Sequence, residues 1–313
     1  MPIRISETDM RIGILPLGRA TFDVPFAEEN LTAMLAALDA TGHEIVGPRE
    51  LLFDEPATRA GIEDLKAANV DQVLVLQVTF TDASMAVVIG TEFDEPLSIW
   101  AIPEPRLGGR LRLNSFCGLN LASHALGLNG RAFGWLYADP KGEISADLMD
   151  LLGGNRNAGR LEPTSAPAAT SEGDVIAENL RGKRIARIGE HPAGFDTCAY
   201  DAGALKALSG VEVEEMELDT LFSAAHAAPE KTAQALRAEV AGQVSALDDV
   251  DQTELDRSLR LKVGLDDLRA QHGYDAFAIR CWPETFTEYG GAVCGPAAML
   301  GESRVPCACE ADV

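Results

Sequence analysis

The chain has 313 residues, of which 46% are hydrophobic and 24% are charged, and its formal net charge at pH 7 is −23. This balance is typical of a globular protein long enough for two domains with separate cores. The excess of acidic residues argues against a nucleic-acid partner, which needs clustered Lys and Arg. No apolar run reaches the roughly 18 residues of a membrane helix, so we expect no membrane partner.

The cysteine content indicates a reducing compartment. Six cysteines in 313 residues are too few for a disulfide scaffold. The start of the chain, MPIRISETDMRIG, lacks the apolar segment of a secretory signal. We therefore predict a cytoplasmic protein. Cys307 and Cys309 are spaced more tightly than the cysteine pairs of zinc sites, so we favour small buried residues over zinc ligands.

Short apolar runs alternate with amphipathic stretches in the first half of the chain, a pattern typical of βαβ units around a parallel sheet. The predicted elements are, in chain order, a strand over 10–17, a helix over 25–42, a strand over 43–47, a helix over 57–69, a strand over 71–80, a strand over 96–105, a helix over 120–130 and a strand over 131–139.

The composition changes at 153–174, which is rich in Gly, Pro, Ser, Thr and Ala and has no periodicity. Such a segment is typical of a linker or a long surface connection. We therefore predict a first α/β domain over 1–155, a linker over 156–180 and a second α/β domain over 181–313.

The alternation resumes in the second half. The predicted elements are a strand and loop over 182–196, a helix over 202–210, a strand over 211–219, a helix over 251–273, a strand over 274–282, a helix over 291–301 and a final strand over 305–313. The predicted fold class is therefore α/β, with two doubly wound parallel-sheet domains of the Rossmann or flavodoxin type.

Ligands of open parallel sheets bind beyond the carboxyl ends of the strands. This rule selects the loops 17–23, 80–85, 190–197 and 282–290 and the residues after Cys309. No P-loop, dinucleotide fingerprint or nucleophile elbow is present in the sequence, so a nucleotide or nicotinamide site and a serine-hydrolase site are disfavoured.

Carboxylates are the remaining candidates. Glu310 and Asp312 share one face if strand geometry continues to the end of the chain, because alternate residues of a strand point the same way. Oxygen ligands of this kind suit a hard ion such as Mn²⁺ or Mg²⁺. The alternative is a pair of solvated acids at a terminus. Trp282 and Glu284 end another predicted strand, where Trp282 either stacks on a sugar or covers the core.

These segments resemble the L-fucose/L-arabinose isomerase family. The most specific part is AIRCWPETFTEYGGAVCGPAAMLGESRVPCACEADV at 278–313. The segment 188–222 resembles the opening of the family's second domain, while GILPLGRATFD and VTFTDASM resemble parts of its first domain. The resemblance implies an enzyme that interconverts aldoses and ketoses of a monosaccharide by proton transfer between C1 and C2 through an enediolate.

The resemblance also implies a divalent cofactor, commonly Mn²⁺, held by a glutamate, a second acid and a histidine. Glu310 matches the first ligand and would also help to move the proton. The other two ligands would lie beyond Val313. The resemblance therefore implies that the family's β-rich C-terminal domain is missing from this chain and that the chain alone is inactive.

In the family, the first domain of one protomer closes over the metal of its neighbour, which implies a homo-oligomer, a trimer or a hexamer. Arg19 matches a sugar-contacting position and Phe80 an aromatic that packs against the substrate. Asp312, Trp282 and Glu284 are further candidates for substrate contact. The alternative is that Arg19 is an ordinary surface arginine and Phe80 an ordinary core phenylalanine. For the whole chain, the alternative is a non-catalytic sugar-binding or oligomerisation scaffold.

Overall fold

A computed structural model describes residues 10–107, 111–156 and 168–313. The chain divides into two compact units, Met1–Thr164 and Ser165–Val313. Each unit is an α/β fold around its own parallel sheet, which confirms the predicted fold class. The predicted domain limits stay a prediction, since 157–167 of the predicted linker lie outside the described residues. None of the described helices is long and apolar enough to cross a bilayer.

Unit 1 contains a five-stranded sheet in the order β2-β1-β3-β4-β5, with every described pair of neighbours parallel. Its elements are β1 (Arg11–Leu17), α1 (Val24–Asp39), β2 (Glu44–Val46), α2 (Glu55–Ala68), β3 (Gln72–Gln77), α3 (Ser84–Glu92), β4 (Leu97–Ala101), α4 (Ser115–Leu128), β5 (Gly134–Tyr137) and α5 (Ser145–Leu152).

The sheet of unit 1 is covered on both faces, which makes it doubly wound. Helices α1 and α5 pack on one face, where Ile12 and Ile14 of β1 point. Helices α2, α3 and α4 pack on the other, where Leu15 and Leu17 point. Because β3 lies between β1 and β4 and is buried along its whole length, its sequence is a continuous apolar run with a Gln at each end.

Unit 2 contains a four-stranded parallel sheet in the order β7-β6-β8-β9. Its elements are α6 (Ser171–Leu180), β6 (Arg184–Ile188), α7 (Ala202–Ser209), β7 (Glu212–Met216), α8 (Leu218–His226), α9 (Glu230–Ala241), α10 (Gln252–His272), β8 (Ala276–Ile279), α11 (Cys294–Glu302) and β9 (Cys307–Ala308). Helices α8, α10 and α11 bury one face of this sheet. Helices α6 and α7 bury none of their residues.

Several helices were not predicted, and α3 shows why. Its segment Val87–Ile89 is a β-branched run, which favours a strand by local preference. In the structure this segment is helical, and its buried residues join the core beneath α2 and α4. Tertiary packing therefore outweighs the local preference. Helices α5, α8 and α9 were also missed, and α6 lies inside the segment predicted to be a linker, fully exposed.

The predicted final strand over 305–313 is wrong beyond Ala308. Glu310 has φ of 60° and Ala311 has φ of 53°, in the left-handed region that a strand cannot include. The backbone turns there, and the N–H of Asp312 donates to the carbonyl of Cys309 at 3.1 Å. Glu310 and Asp312 are therefore not alternate residues on one strand face. They lie on a turn, and Asp312 is exposed.

Gly47, which follows β2, provides a test of how closely this part of the chain packs against β1. It has φ of +115°, and a Cβ there would lie 2.5 Å from the carbonyl oxygen of Ile14 in β1. Gly42 has φ of +82°, but a Cβ there meets nothing within 4 Å. We expect Gly47→Ala to reduce the free energy of unfolding by about 3 kcal/mol, because strain and a backbone collision add. Gly42→Ala should cost only about 1 kcal/mol from backbone strain. Urea denaturation measures both, and equal losses would contradict the predicted collision.

Candidate functional site

The carboxyl end of the unit 1 sheet brings Arg19 and Phe80 together. Strand β1 has β2 on one side and β3 on the other. The connections that leave β1 and β3 therefore run toward opposite edges of the sheet. Such a switch point forms the ligand crevice of open α/β sheets. Arg19 follows β1 and Phe80 follows β3, and the Arg19 guanidinium carbon lies 5.4 Å from the centroid of the Phe80 ring. The ring of Phe22 lies 6.0 Å from that of Phe80.

Arg19 forms an ion pair with Asp82, a residue that is not among the predicted site residues. The pair joins Arg19 Nη2 and Asp82 Oδ2, and the two side chains are 20% and 18% exposed. Asp82 Oδ1 also accepts the N–H of Ser84 at 3.0 Å, at the start of α3. Asp82 lies two residues after Phe80, in the loop that joins β3 to α3. A carboxylate at the carboxyl end of a parallel strand is the sequence feature that indicates such a residue.

A buried amide holds the loop that carries Phe80 and Asp82. The side chain of Gln77 is fully buried at the end of β3. Its Nε2 donates to the carbonyl of Thr79 at 2.7 Å and to Thr81 Oγ1 at 3.0 Å. Thr79 Oγ1 in turn accepts the backbone N–H of Arg19 at 2.8 Å. The loops after β1 and β3 are therefore fixed to each other by hydrogen bonds inside the protein.

A second arginine–aspartate pair lies in the loops at the same sheet end. Arg112 Nε donates to Asp23 Oδ2 at 2.8 Å, and the Arg112 guanidinium lies 3.6 Å from the centroid of the Phe26 ring. Asp23 also caps α1 by accepting the N–H of Phe26. The hydrogen bonds from Arg112 and from this N–H lower the pKa of the Asp23 carboxyl below its ordinary value.

The carboxyl end of the unit 2 sheet carries Glu310. This residue follows β9, and its Oε2 is shielded from solvent. Cys281, which follows β8, donates its thiol hydrogen to Glu310 Oε1 over 3.4 Å. The carboxylate of Glu310 therefore packs against the end of the sheet and does not extend into bulk solvent.

Thiols surround this carboxylate. Cys309 hydrogen bonds to Cys281, and this contact, together with burial, raises the pKa of Cys309 to about 11. The hydrogen bond of Cys294 to Cys309 raises the pKa of Cys294 as well. Burial raises the pKa of Cys198, with smaller contributions from the charges of Asp312 and Glu310. These thiols are therefore protonated at neutral pH, and a series of hydrogen bonds runs from Cys294 through Cys309 and Cys281 to Glu310.

The described residues do not by themselves form a metal site. Within 10–107, 111–156 and 168–313, no three His, Cys, Asp or Glu side chains are grouped as metal ligands. Glu310 offers one carboxylate, whereas Asp312 is exposed on the turn that follows. Hard divalent ions need several oxygen ligands, so the donors within these described ranges do not fit a complete Mn²⁺ site.

Trp282 and Glu284 lie near the same sheet end in different surroundings. Arg280 binds Glu284 through two nitrogens, with Nε at 2.7 Å from Oε2 and Nη2 at 2.6 Å from Oε1. These hydrogen bonds lower the pKa of Glu284. Trp282 is half-buried and packs against the core of unit 2. Their predicted contacts with substrate stay predictions.

Comparison with known proteins supports the predicted resemblance to the fucose isomerase-like family. Residues 13–158 match the family described as fucose/sulfoquinovose isomerase, N-terminal domain. A sulfoquinovose isomerase of Priestia megaterium is 27% identical to this chain over 301 residues, which cover 96% of this chain and 63% of the relative. The corresponding protein of Alkalicoccus urumqiensis is 28% identical over 299 residues, again 96% and 63%.

A third relative, a sulfoquinovose isomerase of Clostridium sp. (strain MSTE9), is 26% identical over 309 residues, which cover 98% of this chain and 64% of the relative. The chain therefore spans less than two thirds of the length of the curated relatives it matches. The crystal structure of a galactofuranose binding protein covers 96% of this chain and 91% of its own, with 10% identity and a TM-score of 0.23. This structural similarity is too low to indicate a shared fold or function.

The thiol series predicts how Cys309 reacts. With a pKa of about 11, Cys309 has about 100-fold less thiolate at pH 8 than an ordinary cysteine of pKa near 9, because the fraction falls tenfold per unit. We expect Cys281→Ala to remove the hydrogen bond that raises this pKa and to speed alkylation of Cys309 by iodoacetamide by about tenfold. Peptide mass spectrometry measures the rate.

The matched control is Cys281→Ser, whose hydroxyl can still accept a hydrogen bond from the Cys309 thiol. Its alkylation rate at Cys309 should stay near that of the unchanged protein. If both substitutions speed the reaction equally, access rather than hydrogen bonding limits it, and the proposed cause of the shift is wrong.

Proposed function

We propose that this chain is the two-unit α/β part of a metal-dependent aldose–ketose isomerase that acts on a monosaccharide. The observation that carries the proposal is Glu310, a carboxylate with one shielded oxygen at a sheet end, in a chain whose residues 13–158 match the fucose/sulfoquinovose isomerase family. The names of the relatives support an isomerase of sugars.

The proposed cofactor is Mn²⁺ or another divalent cation, with Glu310 as one ligand. The relatives extend well beyond the length that this chain matches, and we propose that a second acid and a histidine lie in a region of that kind. When bound, the ion would polarise the sugar carbonyl and stabilise negative charge on the adjacent oxygens. The 313-residue chain by itself would then be incomplete as an enzyme and inactive.

The proposed role of Glu310 is to take the proton from C2 and to deliver it to C1, while a second group would move the hydroxyl proton from O2 to O1. A general base must keep a fixed position within hydrogen-bond reach of the carbon-bound proton. The thiol of Cys281 supports this role, because it donates to Oε1 and fixes the carboxylate without adding charge. In this proposal, Asp312, Trp282 and Glu284 contribute to the edge of the substrate pocket.

The proposed role of unit 1 is to contact the sugar of a neighbouring protomer through Arg19 and Phe80. Both residues lie at the switch point, and Arg19 is fixed by Asp82 and Thr79. Such prior positioning reduces the entropy that substrate binding costs. The proposal therefore includes a homo-oligomer, a trimer or a hexamer. A cytoplasmic location remains part of it, and six free cysteines agree with a reducing compartment.

Isomerisation assays with Mn²⁺ test the proposal. We expect no aldose–ketose conversion by the 313-residue chain alone and conversion by a longer natural form that carries the proposed ligands. In that form, Glu310→Gln should lower kcat by about 1,000-fold or more, since it removes a base and a charged ligand. Proton NMR of the sugar's anomeric signals measures the conversion.

The control is Glu302→Gln, which neutralises an exposed acid at the end of α11 and should leave kcat unchanged. Conversion by the 313-residue chain alone would refute the proposed incompleteness. Wild-type activity of Glu310→Gln would refute the role of Glu310. Sugar binding without conversion by the longer form would favour the non-catalytic scaffold.

A further inference from the structure

The ion pair of Arg19 and Asp82 is nearly enclosed. Each side chain exposes about one fifth of its surface, 20% for Arg19 and 18% for Asp82. Ion pairs that are this far removed from water interact more strongly than surface pairs, because solvent and salt screen them less. The charge of Arg19 is therefore largely balanced within its own chain.

Both members of the pair are held independently of each other. Asp82 accepts the N–H of Ser84 at the N-terminus of α3, where the helix dipole stabilises a negative charge. The backbone of Arg19 donates to Thr79, and the loop of Thr79 is fixed by the buried amide of Gln77. The backbone that carries Arg19 and the carboxylate of Asp82 are therefore both held in place, which keeps the two charged groups close together.

An arginine paired in this way recognises different ligands from an unpaired one. Its N–H groups donate to neutral hydroxyl oxygens regardless of a nearby carboxylate. An anionic substituent, by contrast, would be attracted to the guanidinium and repelled by Asp82 at similar distances. Arg112, in a loop at the same sheet end, is likewise paired, with Asp23. Each of these two arginines therefore has its charge balanced by an aspartate.

We infer that Asp82 is a specificity-determining residue, which makes the Arg19 site bind uncharged hydroxyl groups of a sugar and discriminate against a sulfonate or carboxylate substituent. The inference rests on the proposed function, because it assigns the part of the sugar that unit 1 contacts. It concerns this site alone and places no limit on how the rest of a complete enzyme binds a charged group.

The substitution Asp82→Asn tests the inference. Asn keeps an oxygen that can accept the Ser84 N–H but removes the negative charge beside Arg19. In the active isomerase, we expect the ratio of kcat/KM for 6-deoxy-6-sulfoglucose to that for 6-deoxyglucose to rise about tenfold, the effect of one unit charge at short range. The two sugars differ only in the sulfonate, so a general loss of stability changes both rates and not their ratio.

Two controls identify the cause. Glu44→Gln removes the partner of Arg11 and changes the net charge equally, but it lies at the opposite end of β1; the ratio should stay within about twofold, because the charge is distant. Adding Arg19→Gln to Asp82→Asn should cancel the gain. A folded Asp82→Asn variant with an unchanged ratio overturns the inference and leaves the proposed function intact.

A binding measurement decides the inference even if the wild-type isomerase converts neither of these two sugars, because the proposed function does not specify which monosaccharide is the substrate. Ethanesulfonate is titrated into the 15N-labelled 313-residue chain, and the backbone amide signal of Arg19 is followed by NMR. We expect Asp82→Asn to bind the probe about tenfold more tightly than the wild type. If Asp82→Asn fails to fold, Asp82→Ser serves instead. Equal affinities overturn the inference.

Discussion

The parallel pairing of β1 with β3 is the constraint on which the candidate site of unit 1 depends. Six consecutive residue pairs, from Ile12↔Gln72 to Leu17↔Gln77, set the register of these central strands. Both strands are enclosed by helices on two faces, so a shift of one residue would turn buried side chains to the wrong face. This register puts Arg19 beside Thr79, and thereby beside Phe80 and Asp82, which lie far away along the chain.

The carboxyl ends of the two sheets differ in their electrostatics. In unit 1, two arginines are paired with two aspartates, and the loops are held by the buried Gln77. In unit 2, the carboxylate of Glu310 accepts a hydrogen bond from the thiol of Cys281. The thiols of Cys309 and Cys294, whose pKa values are raised, continue this series of hydrogen bonds. The first end therefore holds hydrogen-bond donors in fixed positions, whereas the second holds a carboxylate in a fixed orientation.

Much of the fold could be predicted because its signals are local. The apolar run of β3, the helical period of α1 and the composition change after residue 153 each depend on a short segment of sequence. The misses arise where packing or backbone geometry overrides such signals. The β-branched residues of α3 predicted no helix, and α3 forms because neighbouring helices cover it. The final strand ends early because Glu310 and Ala311 adopt positive φ, for which neither residue type gives a signal.

The sequence by itself determined the fold class, because the periodicity of apolar residues follows from their order along the chain. It also carried the family resemblance, which selected Arg19, Phe80 and Glu310 as candidates. Only the tertiary structure decided the partners of these residues. Asp82 pairs with Arg19 across two loops, and Cys281 donates to Glu310 across two strands. Contacts of this kind depend on strand register and loop conformation, which are set by the packing of the whole unit rather than by any single segment.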